Sequence, residues 1–183
     1  DDNGEAIHDL VAGLKYETYL GRFENCEQVI EGEQVGEGYA TRISVEPKPR
    51  QDNFGIRFSG EYWVEMAGRY EFLLASDDGS KLWIDGRMIV DNDGIHGEVT
   101  KRNRTDLTRG WHSIDARVWE HGGGEVIRVQ WSGPGIDKPR EFMPEELRTM
   151  TSVASPQEPI FRLDPPRIIR GGHAYSLYGC SAC

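Results

Sequence analysis

The cleanest alternation of apolar and polar positions lies at residues 111–119. His112, Ile114, Ala116 and Val118 alternate with Trp111, Ser113, Asp115, Arg117 and Trp119. A period of two places the first set on one face of a strand and the second on the other. A partner strand at 126–131 turns Ile127, Val129 and Trp131 inward. Residues 55–64 alternate in the same way, with Ile56, Phe58, Tyr62 and Val64 inward and Gly60 marking a candidate bulge. Strand character also runs from Leu10 through Tyr19, with Leu14, Tyr16 and Thr18 on one side, and again over 70–75. Lys81-Leu82-Trp83-Ile84 and Arg87-Met88-Ile89-Val90 flank Asp85-Gly86, a strong hairpin signal because a type I′ turn needs positive φ at both central positions.

Between the strands the pattern weakens. Residues 21–38 are acidic and read as a solvated surface loop. Residues 91–104 read as a long loop with a short pairing segment near Val99. Pro144-Glu145-Glu146-Leu147 reads as one helical turn, since proline suits the first helical position and acids suit the first turn. Many short strands with almost no helical period predict an all-β chain, an antiparallel β-sandwich with long loops and an extended C-terminal tail. The expected organisation is a frayed start at 1–9, a sandwich at 10–150, and a linker and tail at 151–183.

Charge narrows the partners. The chain has 21 basic and 31 acidic residues, a formal net charge of −10. That disfavours nucleic acid and anionic membrane surfaces and suits cations and neutral ligands. No stretch is long and apolar enough to cross a bilayer. The acidic start, Asp1-Asp2-Asn3-Gly4-Glu5, reads either as a terminus left by signal-peptide removal or as a boundary within a longer chain.

The candidate chemistry centres on Ser76-Asp77-Asp78-Gly79-Ser80. Adjacent carboxylates repel, and neither supplies the positive φ that Gly79 gives freely. One reading is an oxygen-ligand site for a hard cation such as Ca²⁺; the other is a solvated acidic turn. No constellation for catalysis is visible. The two aspartates do not flank a cleft, no histidine is placed to activate Ser76 or Ser80, and there is no Gly-x-Ser-x-Gly or His-Glu-x-x-His. His112 falls on an inward face and reads as core. The chain ends in Cys180-Ser181-Ala182-Cys183, which fits a local disulfide, half of a metal site, or the first four residues of the haem c signature Cys-x-x-Cys-His.

Several segments together resemble the PA14 family, the β-sandwich module named after the anthrax protective antigen and found in bacterial glycosidases and yeast adhesins. These are Gly13-Leu14-Lys15-Tyr16, Gly68-Arg69-Tyr70-Glu71-Phe72, Ser76-Asp77-Asp78-Gly79-Ser80 with Leu82-Trp83-Ile84-Asp85-Gly86, Gly110-Trp111-His112-Ser113-Ile114, and Trp131-Ser132-Gly133-Pro134-Gly135. The resemblance implies a jelly-roll type sandwich. In sugar-binding members it implies a cis peptide between the paired aspartates, which hold Ca²⁺, and sugar hydroxyls that coordinate the metal. The remaining ligands come from a second loop, here 120–125. Where adhesins carry asparagine this loop has none, and Glu120 stands as its substitute. His121, Gly122 and Gly123 are the candidate ligand contacts beside it. Trp119 is either an exposed stacking platform for a sugar ring or a side chain covered by 91–104, and Trp83 is expected in the core. The implied function is a non-catalytic, Ca²⁺-dependent carbohydrate-binding or adhesion module of a larger secreted, periplasmic or cell-envelope protein, with a glycan and neighbouring domains as partners. The alternative is a docking domain of an electron-transfer assembly carrying haem c on Cys180 and Cys183. An accessory domain of an enzyme is a third reading.

Overall fold

The computed structural model describes residues 8–152. The expectations for Cys180, Cys183 and the rest of the tail therefore lie outside the described residues. Twelve strands form two antiparallel sheets. In chain order they are β1 (His8–Ala12), β2 (Leu14–Leu20), β3 (Glu33–Ala40), β4 (Phe54–Val64), β5 (Gly68–Asp77), β6 (Ser80–Ile84), β7 (Arg87–Asn92), β8 (Val99–Leu107), β9 (Gly110–Glu120), β10 (Val126–Gly133), β11 (Ile136–Arg140) and β12 (Leu147–Ser152). The larger sheet runs β1-β12-β4-β9-β6-β7, with β2 also on β4 and β3 on β2; the smaller runs β11-β10-β5-β8. This is the expected all-β sandwich.

The strand faces match the alternation. Ile56, Phe58, Tyr62 and Val64 of β4 and Ile114, Ala116 and Val118 of β9 are buried, as are Tyr70, Phe72 and Leu74 of β5 and Ile127, Val129 and Trp131 of β10. They form one core. Trp131 anchors it, edge-on to Tyr62 at 5.4 Å and stacked on Tyr70 at 5.2 Å. Each such side chain contributes roughly 1.5–3 kcal/mol by leaving water. His112 is buried among them, and Pro144–Glu146 forms the expected turn, a 3-10 one.

Several sequence expectations change. Strand β8 takes up residues 99–104 of the segment read as a loop at 91–104, where only a short pairing segment near Val99 was expected, and pairs with β5 from Gly68↔Leu107 to Ser76↔Val99. Its run Thr100-Lys101-Arg102-Asn103-Arg104 is exposed, so no alternation betrays it. Strand β3 likewise lies inside the acidic stretch read as loop, and its pairing with β2 hides no apolar face. The opening strand is two strands, broken at Gly13, where φ is +97° and a Cβ would stand 2.5 Å from the Ala40 carbonyl oxygen. Gly60 is not a bulge: the β4–β9 register passes through it unbroken. It marks the point where the neighbour of β4 changes from β2 to β12, and a Cβ there would stand 2.7 Å from the Arg148 carbonyl oxygen.

A second, smaller core sits on the outer face of the larger sheet. Tyr19 and Trp119 point away from the sandwich interior and are covered by Phe23, Cys26 and Val29 of the segment 21–32, with Trp83 packed at its margin. Gly55 leaves the room, since a Cβ there would lie 2.6 Å from Val29. That segment is thus not simply a solvated loop. Trp83 belongs to this outer layer rather than the main core, with the Arg117 guanidinium 4.7 Å over its ring.

Candidate functional site

The chain crosses between the sheets three times at one end of the sandwich, from β7 to β8 through 93–98 and at the two crossings that carry the acids. Of those two, the first runs from β5 to β6 through Asp78 and Gly79; the second runs from β9 to β10 through 121–125. Pairing fixes the two crossings side by side. Val126 stands opposite Asp77, and the Trp119 N–H donates to the Gly79 carbonyl at 2.9 Å. Carboxylates far apart in sequence therefore converge: Asp77, Asp78 and Glu120 each present an oxygen within 4.8 Å of the others. The Asp77–Asp78 peptide is cis.

Asp78 is the hub of this corner. It is 3 % exposed. Its Oδ1 accepts from the His96 N–H at 2.9 Å and its Oδ2 from the His121 N–H at 3.0 Å. Its own N–H donates to Glu120 Oε2 at 3.2 Å. One carboxylate thus ties the 93–98 loop to the 121–125 loop. Glu120 is 1 % exposed, and its Oε1 has no hydrogen-bond partner among the described residues. Such an orphaned buried oxygen costs free energy. Burial pushes the Glu120 carboxyl up to about 7, with the charges of Asp78 and Asp77 adding to it. Asp77, half-buried, is raised by burial and then by Asp78. Among the described residues no lysine or arginine is ion-paired with any of the three. Hard oxygen donors with like charges and one unsatisfied lone-pair site suit a divalent hard cation.

The corner is braced from below. Ser76 and Ser80 are buried with their hydroxyls 2.6 Å apart, and Asn92 Nδ2 donates to Ser76 Oγ at 2.9 Å and to the Val99 carbonyl at 2.9 Å. These serines are structural. Gly79 has a purpose other than the expected positive φ: a Cβ there would stand 2.5 Å from Trp119 Nε1 and 2.7 Å from Asp93 Oδ1.

Trp119 is a correction. It is fully buried, and its Nε1–H donates to Asp93 Oδ1 at 2.7 Å. Its ring faces are taken by the outer core, so it offers no stacking platform. The cover comes mainly from 21–32, which hydropathy does not reveal because only Phe23, Cys26 and Val29 anchor it. His121, Gly122 and Gly123 are exposed at the rim, with the His121 backbone bound to Asp78. The 93–98 loop is the wall that sequence reading missed. Its signal was the Asn92-Asp93-Gly94 turn, and it carries Ile95, 70 % exposed, next to the His96 amide. An open trough of about 460 Å³ lies elsewhere, over the outer sheet face between Arg57, Trp83, Asp115 and Arg117. Its charges are already paired, Arg57 to Asp115 at 2.8 Å and Arg117 to Asp115 at 3.0 Å.

A model of the PA14 domain family matches residues 11–140. The PA14 domain of the antifreeze protein MpAFP is 21 % identical, with TM-score 0.69, covering 81 % of this chain and 96 % of that one. A PA14 sugar-binding domain from an RTX adhesin is 20 % identical, with TM-score 0.64, covering 76 % and 99 %. Among curated proteins, anti-sigma-I factor RsgI3 of Acetivibrio thermocellus is 22 % identical over 111 residues, 60 % of this chain. The chain spans 17 % of the length of that relative. No helix of the described residues is long and apolar enough to cross a membrane.

Proposed function

The chain belongs to the PA14 domain family, and on that premise we propose that it is a non-catalytic, Ca²⁺-dependent carbohydrate-binding module of a larger extracellular or envelope protein. The observation that carries this reading is the buried Glu120 carboxylate, with an oxygen within 4.8 Å of oxygens of Asp77 and Asp78 and with its Oε1 lacking a hydrogen-bond partner among the described residues. Asp77, Asp78 and Glu120 would hold the cation. When bound, it supplies coordination positions that accept vicinal hydroxyls in place of water. Asp78 keeps the 93–98 and 121–125 loops at a fixed separation through its two amide bonds. Gly122 and Gly123 keep the rim free of side chains where a sugar would approach. Ile95 offers that ring an apolar contact in place of the indole expected from Trp119. The sugar-binding adhesin domain of the same fold supports the ligand class.

The test is a thermal melt with and without calcium, followed by glycan-array binding with and without a chelator. Calcium at about a hundred times its Kd stabilises by about 2.7 kcal/mol, which for a domain of this size raises Tm by roughly 6–10 °C. The shift should vanish in Asp78→Ala, and chelation should remove glycan binding. A wild-type Tm indifferent to millimolar calcium would refute the cation site. Glycan binding that survives chelation would refute the calcium dependence.

A further inference from the structure

Behind the cation corner lies a polar cluster that the proposed ligand set does not use. Its centre is Asp93, half-buried at the start of the 93–98 loop. Asp93 Oδ1 accepts from Trp119 Nε1–H at 2.7 Å, from the Gly94 N–H at 3.2 Å and from the Cys26 thiol at 3.4 Å. Its Oδ2 accepts from the Cys26 N–H at 3.1 Å and pairs with Lys81 Nζ at 3.1 Å. One carboxylate therefore joins β6, β9, the segment 21–32 and its own loop. Burial pushes the Asp93 carboxyl up, but the Trp119, Cys26 and Lys81 donors outweigh it and hold it below the ordinary carboxylate range. Lys81, 9 % exposed, also reaches Glu27 at 2.8 Å and Asp91 at 3.8 Å, so its charge is fully compensated.

Two routes lead from Asp93 to the corner. Through Trp119, it holds the indole edge against Gly79, the residue after Asp78, at a separation where no side chain fits. The Trp119 backbone N–H holds the Gly79 carbonyl from the same side. Through the loop, Asp93 fixes the first residue of a turn that delivers the His96 N–H to Asp78 Oδ1 three residues later. The His96 ring closes that turn, with Nε2 2.9 Å from the Asn92 carbonyl oxygen and Nδ1 2.9 Å from that of Gly97.

We propose that Asp93 is the positioning residue of the cation corner, setting the orientation of the Asp78 carboxylate through Trp119 and the His96 loop without touching the ion. This rests on the cation reading above. Trp119 then has a spectroscopic role as well. Its indole lies against the corner, so it should sensitise the emission of terbium(III), a hard oxygen-seeking ion that substitutes for calcium.

The experiment titrates the intact chain with terbium, reads the sensitised emission, and displaces the terbium with calcium. Circular dichroism and Tm are recorded on the same samples. Asp93→Asn retains one acceptor oxygen but turns an amide N–H₂ toward existing donors and leaves Lys81 short of a counter-charge. The expected result is calcium affinity weakened at least ten-fold in folded protein. A double variant, Asp93→Asn with Lys81→Met, removes the cation that Asp93 pairs with, along with its bonds to Glu27 and Asp91. Its Tm should recover while its affinity stays low. If affinity returns with Tm, Asp93 serves only to neutralise Lys81 and the proposal falls. If Asp93→Asn does not fold, Trp119→Phe takes its place, with expected loss of sensitised emission and several-fold weaker calcium binding. Calcium affinity unchanged from wild type in Asp93→Asn, or in Trp119→Phe if that stands in, overturns the positioning role and leaves the cation site intact. Wild-type protein that binds neither ion fails the cation reading itself, a result distinct from the other two.

Discussion

Strand β6 begins and ends at an acidic turn, and the two turns differ in how their charge is met. At its far end Asp85 and Gly86 make the hairpin to β7 with φ of +50° and +72°. The Asp85 carboxylate is part-exposed; Oδ2 lies 2.6 Å from His112 Nδ1 and Oδ1 accepts from the Ser113 N–H at 2.9 Å. That acid has a donor on each oxygen and a ring that can share a proton. At the near end Asp78 also has an N–H on each oxygen, but it is buried against Glu120 and next to Asp77, and among the described residues no lysine or arginine is ion-paired with any of them. One turn is complete within the protein. The other leaves a buried lone pair and surplus negative charge. An acid in a turn becomes a candidate site when the fold gives it other acids for neighbours instead of a base.

The glycines at the two turns break or sharpen this contrast with the largest effect. A Cβ at Gly79 would collide with Trp119 and Asp93, whereas at Gly86 it meets nothing within 4 Å and only the backbone conformation resists it. Gly79→Ala should therefore cost about 3 kcal/mol through overpacking, and Gly86→Ala only about 1 kcal/mol through its left-handed backbone. Urea unfolding without calcium measures both. Equal losses would mean that the corner has room to relax, and the tight seat of Gly79 on Trp119 would lose its meaning.

The next effect separates the turns by pH. Burial and the neighbouring aspartates raise the Glu120 carboxyl from an ordinary 4.5 to about 7. Between those values the unfolded chain has released the proton and the folded chain still holds it. Without calcium, stability from this group is therefore full below about pH 4.5 and declines as pH rises to about 7. One pKa unit corresponds to about 1.36 kcal/mol, so the window carries about 3 kcal/mol. Asp77, also raised, adds in the same sense. Glu120→Gln should flatten the profile and be the more stable protein at pH 8 without calcium. With calcium present the order should invert, because the cation needs the ionised carboxylate. Denaturant melts across pH 4–8 decide this; a wild-type profile already flat would remove the charge surplus from the corner.

How much of this was legible in the sequence follows the same physics. The main core and the Asp85-Gly86 turn were readable because period-two alternation and positive-φ turn residues are local signals. Strand β8 was not, since the outward run Lys101 to Thr105 carries polar residues at every position and its pairing with β5 is set from across the sheet. The adjacent aspartates drew attention to the corner. The family resemblance supplied the second loop and Glu120, and the convergence itself depends on two crossings brought together by register. Trp119 was misread as a possible platform because alternation shows that a side chain leaves the sandwich interior but cannot show that Phe23 and Val29, about ninety residues earlier, return to cover it. In the sequence Asn92-Asp93-Gly94, Asp93 carries only a turn signal. Its five donors come from three other segments as well as its own loop.

The smallest effect tests the hairpin as the control. Asp85→Asn keeps the turn conformation, since asparagine tolerates positive φ, and keeps one oxygen for the Ser113 N–H. It loses the negative charge beside His112. The expected cost is about 1 kcal/mol, the loss of one charge-assisted hydrogen bond at a part-exposed site. Calcium should raise the Tm of Asp85→Asn by as much as it raises that of wild type, because Asp85 lies at the opposite end of β6 from the corner. A calcium shift reduced by half or more would mean that the two ends of the strand are coupled. The division between a self-satisfied acidic turn and one with surplus negative charge would then have to be redrawn around β6 as a whole.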